Sequence, residues 1–154
     1  MSHDNEKAIR AAYQVAEEQD VAGWIAAFTE DGTFTDMSLP LTCRGPEELG
    51  KTVEVYTKAF PDMHRELERF YVTGDIVVVQ LRLQGTHLGP LELSSGTVPP
   101  TGRRMDAPCC DVFELVDGRA SASTATRPAQ SSPPSSAWPE PVGGGECPRC
   151  SIVT

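Results

Sequence analysis

The chain has 154 residues, of which 39% are hydrophobic and 23% charged, and its formal net charge is −9 at pH 7. This length suits a single domain with one site. Lysine and arginine never occur in runs longer than two, so the acidic chain lacks the basic clusters that bind phosphate, and no nucleic-acid partner is expected. The polar start, MSHDNEKAIR, and the lack of a long apolar run predict a cytoplasmic protein without a membrane partner.

Cysteine usage argues against both disulfide bonds and a metal site. The five cysteines are an odd number in a chain without a secretion signal, so we expect free thiols. Cys147 and Cys150 have the spacing of metal or redox sites, but a zinc site needs four ligands and a thioredoxin-like site needs a strand followed by a helix. No phosphate-binding loop or nucleophile elbow occurs, so we expect any enzymatic chemistry to need no cofactor.

Three helices are predicted in the N-terminal part of the chain. Asn5 to Glu18 carries apolar residues at helical spacing. Val21 to Phe28 follows Asp20, a good helix cap. Pro46 to Phe60 begins with proline and two acidic residues, which favour the first turn of a helix.

The remaining patterned segments predict strands. They are Thr33–Met37, Met63–Val72, Ile76–Leu83 and Met105–Val116. The second and third form a hairpin, and Leu88 to Pro100 is predicted to be a loop over a pocket mouth because it is rich in glycine, serine and proline. Helices followed by consecutive antiparallel strands indicate an α+β fold, with a sheet curled against helices.

Four phrases of the chain resemble, in order, those of the SnoaL-like polyketide cyclases: Trp24-Ile-Ala-Ala-Phe28-Thr-Glu-Asp31-Gly-Thr-Phe34, Gly85-Thr-His87-x-Gly-Pro90, Pro99-Pro-Thr-Gly102-Arg and Asp111-Val-Phe-Glu-Leu-x-Asp117-Gly118. The resemblance implies an NTF2-like cone, in which a curved antiparallel sheet packs against N-terminal helices and holds a small apolar molecule. It also implies a homodimer or a tetramer that assembles through the outer face of the sheet. Relatives of this fold perform unrelated functions, so the fold does not settle the function.

The resemblance also implies the catalytic residues. In the cyclases an aspartate at the position of Asp111 acts as both acid and base, because an apolar cavity raises the pKa of its carboxyl. In the similar ketosteroid isomerases a proton-abstracting aspartate matches Asp36 and a protonated one matches Asp111. Their helix tyrosine would fall on Ala12, with Tyr13 one residue aside, which weakens the comparison with an isomerase.

Other candidate site residues each have a structural alternative. His87 is either a polar contact of the pocket or a structural histidine. Four aromatic residues are expected either to line the pocket or to belong to the core, namely Tyr13, Trp24, Phe34 and Tyr71. Asp36 is either catalytic or a turn residue, and Asp111 either faces the pocket or points outward.

The domain is predicted to end at Gly118, with residues 119–154 forming a disordered tail rich in Pro, Ser, Ala and Gly. In the NTF2-like superfamily one more strand follows this turn, so the final strand is predicted to be missing. One coding string for Ala-Ser-Ala-Ser-Thr-Ala-Thr-Arg-Pro, read two bases later, encodes Ile-Ser-Phe-Asp-Cys-Tyr-Pro, which matches such a strand. The tail is therefore hypothesised to be a frameshift product, and the alternative is a natural disordered tail.

Three functions follow from these observations. The first is a cyclase or isomerase that transfers a proton in a small carbonyl compound through Asp111, aided by His87 or Asp36. The second is a module that binds a small ligand or a partner chain without chemistry. The third is an inactive product of the frameshift.

Overall fold

The computed structural model of the protein describes residues 2–38, 41–93 and 96–127. Its helices are α1 (Ser2–Glu17), α2 (Val21–Ala26) and α3 (Gly45–Ala59). The Asp20 side chain caps α2 by accepting the backbone N–H of Gly23 at 3.0 Å. Within the described ranges, none of these helices has the length and hydropathy to cross a bilayer.

The strands form a large curved sheet and a small hairpin. They are β1 (Phe28–Asp36), β2 (Leu41–Arg44), β3 (His64–Thr73), β4 (Ile76–Thr86), β5 (Leu91–Leu93), β6 (Gly96–Val98), β7 (Arg104–Val116) and β8 (Arg119–Thr126). Six of them form one sheet in the order β2-β1-β8-β7-β4-β3, in which only the β1–β8 pair is parallel. Register shifts in β1, β3 and at the β7–β8 pairing bend the strands. The predicted α+β fold, with a curved antiparallel sheet against N-terminal helices, is confirmed.

The prediction that the final strand is missing is wrong. Residues Arg119–Thr126 form β8, which lies in the sheet between β1 and β7. Asp117 and Gly118 have φ angles of 49° and 75°, the combination of a tight hairpin turn that returns the chain beside β7. The ladder bonds of β8 need only backbone groups, so a stretch without a strand pattern still pairs on both sides.

The sheet therefore extends past the predicted boundary at Gly118. The rest of the predicted tail, residues 128–154, lies outside the described residues, and so does the Cys147–Cys150 motif.

The core lies between the helices and the inner face of the sheet. Alternation along β4 places Val77, Val79 and Leu81 on this face, each at most 1% exposed. Helix α1 covers them with side chains at helical spacing, which are Ile9, Ala12, Tyr13 and Ala16. Burying each large apolar side chain stabilises the fold by about 1.5–3 kcal/mol.

The segment from Leu88 to Pro100, predicted as a loop, contains the β5–β6 hairpin. Its Leu91 is buried against Ala59 and Phe60 at the end of α3. Gly89 lies so close to α3 that an added Cβ would be 1.9 Å from the carbonyl oxygen of Lys58. This segment thus packs against the C-terminal end of α3 instead of remaining a free loop.

Candidate functional site

A cavity of about 70 Å³ lies between the inner face of the sheet and the helices. Its apolar walls include Trp24, Phe34, Val53, Leu81, Leu83 and Ala125. Its polar lining includes Tyr13, Tyr56, Arg65, Cys109, Asp111 and Arg127. An apolar enclosure with a few polar groups is the usual form of a small-molecule site.

Strand register brings two carboxyl groups to this side of the sheet. Ala125 of β8 is paired with Asp36 of β1 on one side and with Asp111 of β7 on the other. Side chains at paired positions share a face of the sheet, and two strand spacings separate the two aspartates by about 9–10 Å at their Cα atoms. Both aspartates are buried, so neither points outward into solvent.

Asp111 forms the first polar centre of the cavity. The Tyr13 hydroxyl donates to its Oδ2 at 2.6 Å, and the Cys109 thiol donates to its Oδ1 at 3.1 Å. Burial raises the pKa of Asp111, and the hydrogen bonds from Tyr13 and Cys109 only partly oppose this effect. A carboxyl with a raised pKa on a cavity wall can both accept and return a proton closer to neutral pH than a surface aspartate can.

Tyr13, and not Ala12, is the residue of α1 whose side chain donates a hydrogen bond to Asp111. Tyr13 lies on the inner face of α1 and packs edge-on against Phe113, with ring centroids 5.8 Å apart. Burial and the nearby charge of Asp111 hold the pKa of Tyr13 well above its ordinary value. Tyr13 is therefore a proton-carrying hydrogen-bond donor at neutral pH.

A second polar centre surrounds Asp36, which is 1% exposed. Its Oδ1 accepts the backbone N–H and the hydroxyl of Ser38 at 2.9 and 2.6 Å. Its Oδ2 accepts the Tyr56 hydroxyl at 3.0 Å and Nη2 of Arg127. Both carboxylate oxygens thus have partners, and Asp36 serves to anchor Tyr56 and Arg127.

Arg127 and Tyr56 were not identified by sequence reasoning. Nη2 of Arg127 also donates to the Tyr56 hydroxyl at 2.7 Å. Burial tends to lower the pKa of Arg127, but the neighbouring Tyr56 and Asp36 outweigh it and the pKa is raised. Tyr56 could have been suspected from its helical spacing to the buried Val53, whereas Arg127 fell in the supposed tail and carried no signal.

The structure does not bring His87 together with Asp111. His87 is 2% exposed, stacks on Phe60 with ring centroids 5.2 Å apart, and its Nδ1 lies 3.1 Å from the hydroxyl of Thr101. It follows the end of β4, where the chain turns onto the end of α3, and it is not part of the cavity lining. This placement fits its structural alternative.

Of the four aromatic candidates, three line the cavity. Tyr13, Trp24 and Phe34 do so, and Trp24 also packs edge-on against Phe28 in the core. Tyr71 does not, since it is 50% exposed. The prediction for Tyr71 is wrong because its neighbours in β3, Phe70 and Val72, pack against the core and strand alternation points Tyr71 to the other face.

Comparison with protein families supports the fold. A family model described as a SnoaL-like domain matches residues 9–122 of the chain. Comparison with the curated proteins found no match.

Solved structures share this fold. One from Jannaschia sp. CCS1, named as a SnoaL-like polyketide cyclase, is 25% identical with a TM-score of 0.73, over 86% of this chain and 95% of that one. IdmH from Streptomyces antibioticus, named as a polyketide cyclase, is 20% identical with a TM-score of 0.68, over 82% and 94% of the two chains. An LEH-like epoxide hydrolase from M. tuberculosis is 15% identical with a TM-score of 0.66, over 84% and 86%. Neighbours with this fold thus carry different activities, and the site must indicate the chemistry.

Proposed function

Because the chain belongs to the SnoaL-like domain family, we propose that it is a cofactor-independent acid–base catalyst, a cyclase or isomerase, that acts on a small apolar carbonyl compound. The observation that carries this proposal is the buried carboxyl of Asp111 on the wall of an apolar cavity, 2.6 Å from the Tyr13 hydroxyl. A group that must take a proton from carbon and then return it needs such an environment, because a surface carboxylate is too weak a base.

The reaction begins with a proton transfer. Asp111 takes the proton from a carbon adjacent to the carbonyl group, and the C–H electron pair moves into an enolate. Tyr13 donates to Oδ2 and thereby orients the carboxyl toward the bound compound. The protonated carboxyl is neutral, which suits the desolvated site better than the carboxylate does.

The proton is then returned in one of two ways. In an isomerisation, Asp111 protonates a different carbon of the conjugated enolate. In a cyclisation, the enolate carbon attacks a second carbonyl carbon of the same molecule, a C–C bond forms, and the new alkoxide takes the proton from Asp111. In both cases one proton leaves the substrate and one is returned to it, and between the two steps the Asp111 carboxyl can exchange its proton with solvent, so the overall balance needs no other reactant.

A binding module without chemistry is the second candidate, and one observation favours it. Both oxygens of Asp111 already accept hydrogen bonds, from Tyr13 and Cys109, as a purely structural buried carboxyl would. In that case the cavity holds an apolar ligand, and Asp111 only ties α1 to β7.

The test compares proton transfer with binding. Deuterium exchange at the α-carbon of 2-tetralone and acetylacetone is followed by NMR in D2O, and binding of 2-tetralone is followed by calorimetry. We expect Asp111→Asn to lower the exchange rate by at least about 100-fold while binding is retained. The matched control is Asp106→Asn, because Asp106 lies exposed on the same strand. Exchange by Asp111→Asn at the wild-type rate, with 2-tetralone still bound, would instead support the binding module.

A further inference from the structure

The arginine at the end of β8 has a donor that nothing in the described part of the protein uses. Arg127 lines the cavity, and its side chain is only 10% exposed. Its Nε is buried and has no hydrogen-bond partner among the described residues. A buried donor without an acceptor is destabilising, and more so when it belongs to a charged group, so an acceptor supplied by a ligand would be favoured.

The guanidinium group is held in place and stays charged. Its Nη2 donates both to Asp36 and to the Tyr56 hydroxyl, and Asp36 is itself fixed by Ser38. A guanidinium that is oriented in advance loses little conformational entropy when it binds an oxygen. Arg127 therefore has the form of a preformed oxygen-binding group.

The charges of the lining favour an anion. Among the described residues, Asp111 is the one carboxyl group of the lining, and two arginines, Arg65 and Arg127, face the same cavity. Each arginine is paired with a carboxylate behind the lining, Arg127 with Asp36 and Arg65 with Glu17, so each pair is close to neutral and its basic member is the one that faces the cavity. Asp36 and Glu17, which pair with these arginines, are not part of the lining.

From these contacts we infer that Arg127 binds an oxygen anion of the ligand through its Nε–H, beside Tyr56. This anion is either a carboxylate that the ligand already carries or the enolate formed during the reaction. The inference deepens the proposed function and rests on it for the enolate, because only proton transfer to Asp111 would form that species. The carboxylate requires no reaction at all.

Two probes with the same ring test the preference for an anion. Benzoate carries a carboxylate and benzyl alcohol does not, and calorimetry compares their binding at neutral pH. Wild-type protein should bind benzoate at least about tenfold more tightly, since a charge-assisted hydrogen bond exceeds 1.4 kcal/mol. Failure of the wild-type protein to prefer benzoate overturns the inference.

Variants then assign the preference to Arg127. Arg127→Met alone leaves the carboxylate of Asp36 buried without its cation, which threatens folding. The double variant Asp36→Asn/Arg127→Met removes both charges and keeps similar volumes, and thermal melting checks that it folds. It should lose the preference for benzoate and bind benzyl alcohol as before. Arg119→Met is the control, because Arg119 is an exposed arginine at the start of β8, the strand that Arg127 follows.

The remaining outcomes separate the two sources of the anion. If the double variant loses the benzoate preference but still exchanges the α-hydrogens of 2-tetralone, the anion is a carboxylate of the ligand. If exchange falls as well, Arg127 also stabilises the enolate. Unchanged benzoate preference in the double variant refutes the inference. Because benzoate binding needs no proton transfer, failure of the proposed catalysis would be seen separately, in the Asp111→Asn experiment.

Discussion

Replacing Tyr13 by phenylalanine tests the polar centre at Asp111 directly. The change removes one oxygen atom and leaves the ring against Phe113. It therefore deletes the 2.6 Å hydrogen bond to Asp111 with little effect on packing. Hydrogen bonds to a charged group contribute about 1.5–3 kcal/mol, and this one stabilises only the ionised form of Asp111 to that extent.

The sign of the pH dependence follows from proton binding. Burial raises the pKa of Asp111 in the folded protein above the value of about 3.9 of an unfolded aspartate. The folded state thus binds more protons between these two pKa values, and the stability present at low pH is lost as the pH rises through the folded pKa. Without the Tyr13 hydroxyl, the ionised form of Asp111 is less favourable in the folded protein, so the pKa of Asp111 rises further. The folded protein then loses more stability as the pH increases.

We therefore expect Tyr13→Phe to have little effect near pH 4 and to lower the free energy of unfolding by up to about 1.5–3 kcal/mol near pH 8. Urea unfolding across this pH range measures the difference. The same change made in an Asp111→Asn background should show no such pH dependence, and Tyr71→Phe on the exposed side of β3 serves as the control. An equal cost of Tyr13→Phe at both pH values would refute the reasoning.

Two further predictions concern β8. The hydroxyl of Ser123 is buried and has no partner among the described residues, so Ser123→Ala should stabilise the fold by about 1 kcal/mol and raise Tm by about 2–4 °C. Ser121→Ala removes a hydroxyl that donates to the backbone carbonyl oxygen of Glu114 at 3.1 Å, so this variant should show no such gain in stability. Sequencing the coding DNA for residues 110–154 should show that the shifted frame encodes Ile-Ser-Phe-Asp-Cys-Tyr-Pro after Arg119, and a gene incompatible with that frame would remove the hypothesis.

The frameshift hypothesis now rests on the composition of this segment and on the peptide that its shifted reading frame encodes. The hypothesis assumed that the final strand is missing, but that strand, β8, is present in the sheet. Its residues remain unusual for a strand inside a sheet, because alanine and serine are poor strand formers and the hydroxyl of Ser123 is buried without a partner in the described part of the chain. The coding sequence would decide between the two origins of this segment.

Local patterns predicted several elements well. The helical spacing of Ile9, Ala12 and Ala16 predicted α1, and the valine-rich run from Ile76 predicted β4. These signals are local because a helix or strand must bury one face wherever it lies. By contrast, β2 and the β5–β6 hairpin were missed, since short strands carry too few residues to show a period.

The residues of the site were likewise predicted in part and missed in part. The resemblance selected Asp111, which lies on the cavity wall. The other candidates included His87, which packs against Phe60 instead, and Tyr71, which faces outward. Which face of a strand a side chain takes depends on register and on bulges such as the one between Leu67 and Arg69.

The sequence by itself determined the class of fold, the helices with their apolar faces, and an aspartate in an apolar strand that suits acid–base chemistry. Only the tertiary structure decided that residues after Gly118 complete the sheet, that Tyr13 contacts Asp111, and that Arg127 joins Asp36 and Tyr56 at the same cavity. The physical reason is distance along the chain. Tyr13 and Asp111 are 98 positions apart and Asp36 and Arg127 are 91, and such pairs meet only when strand register and helix packing bring them together.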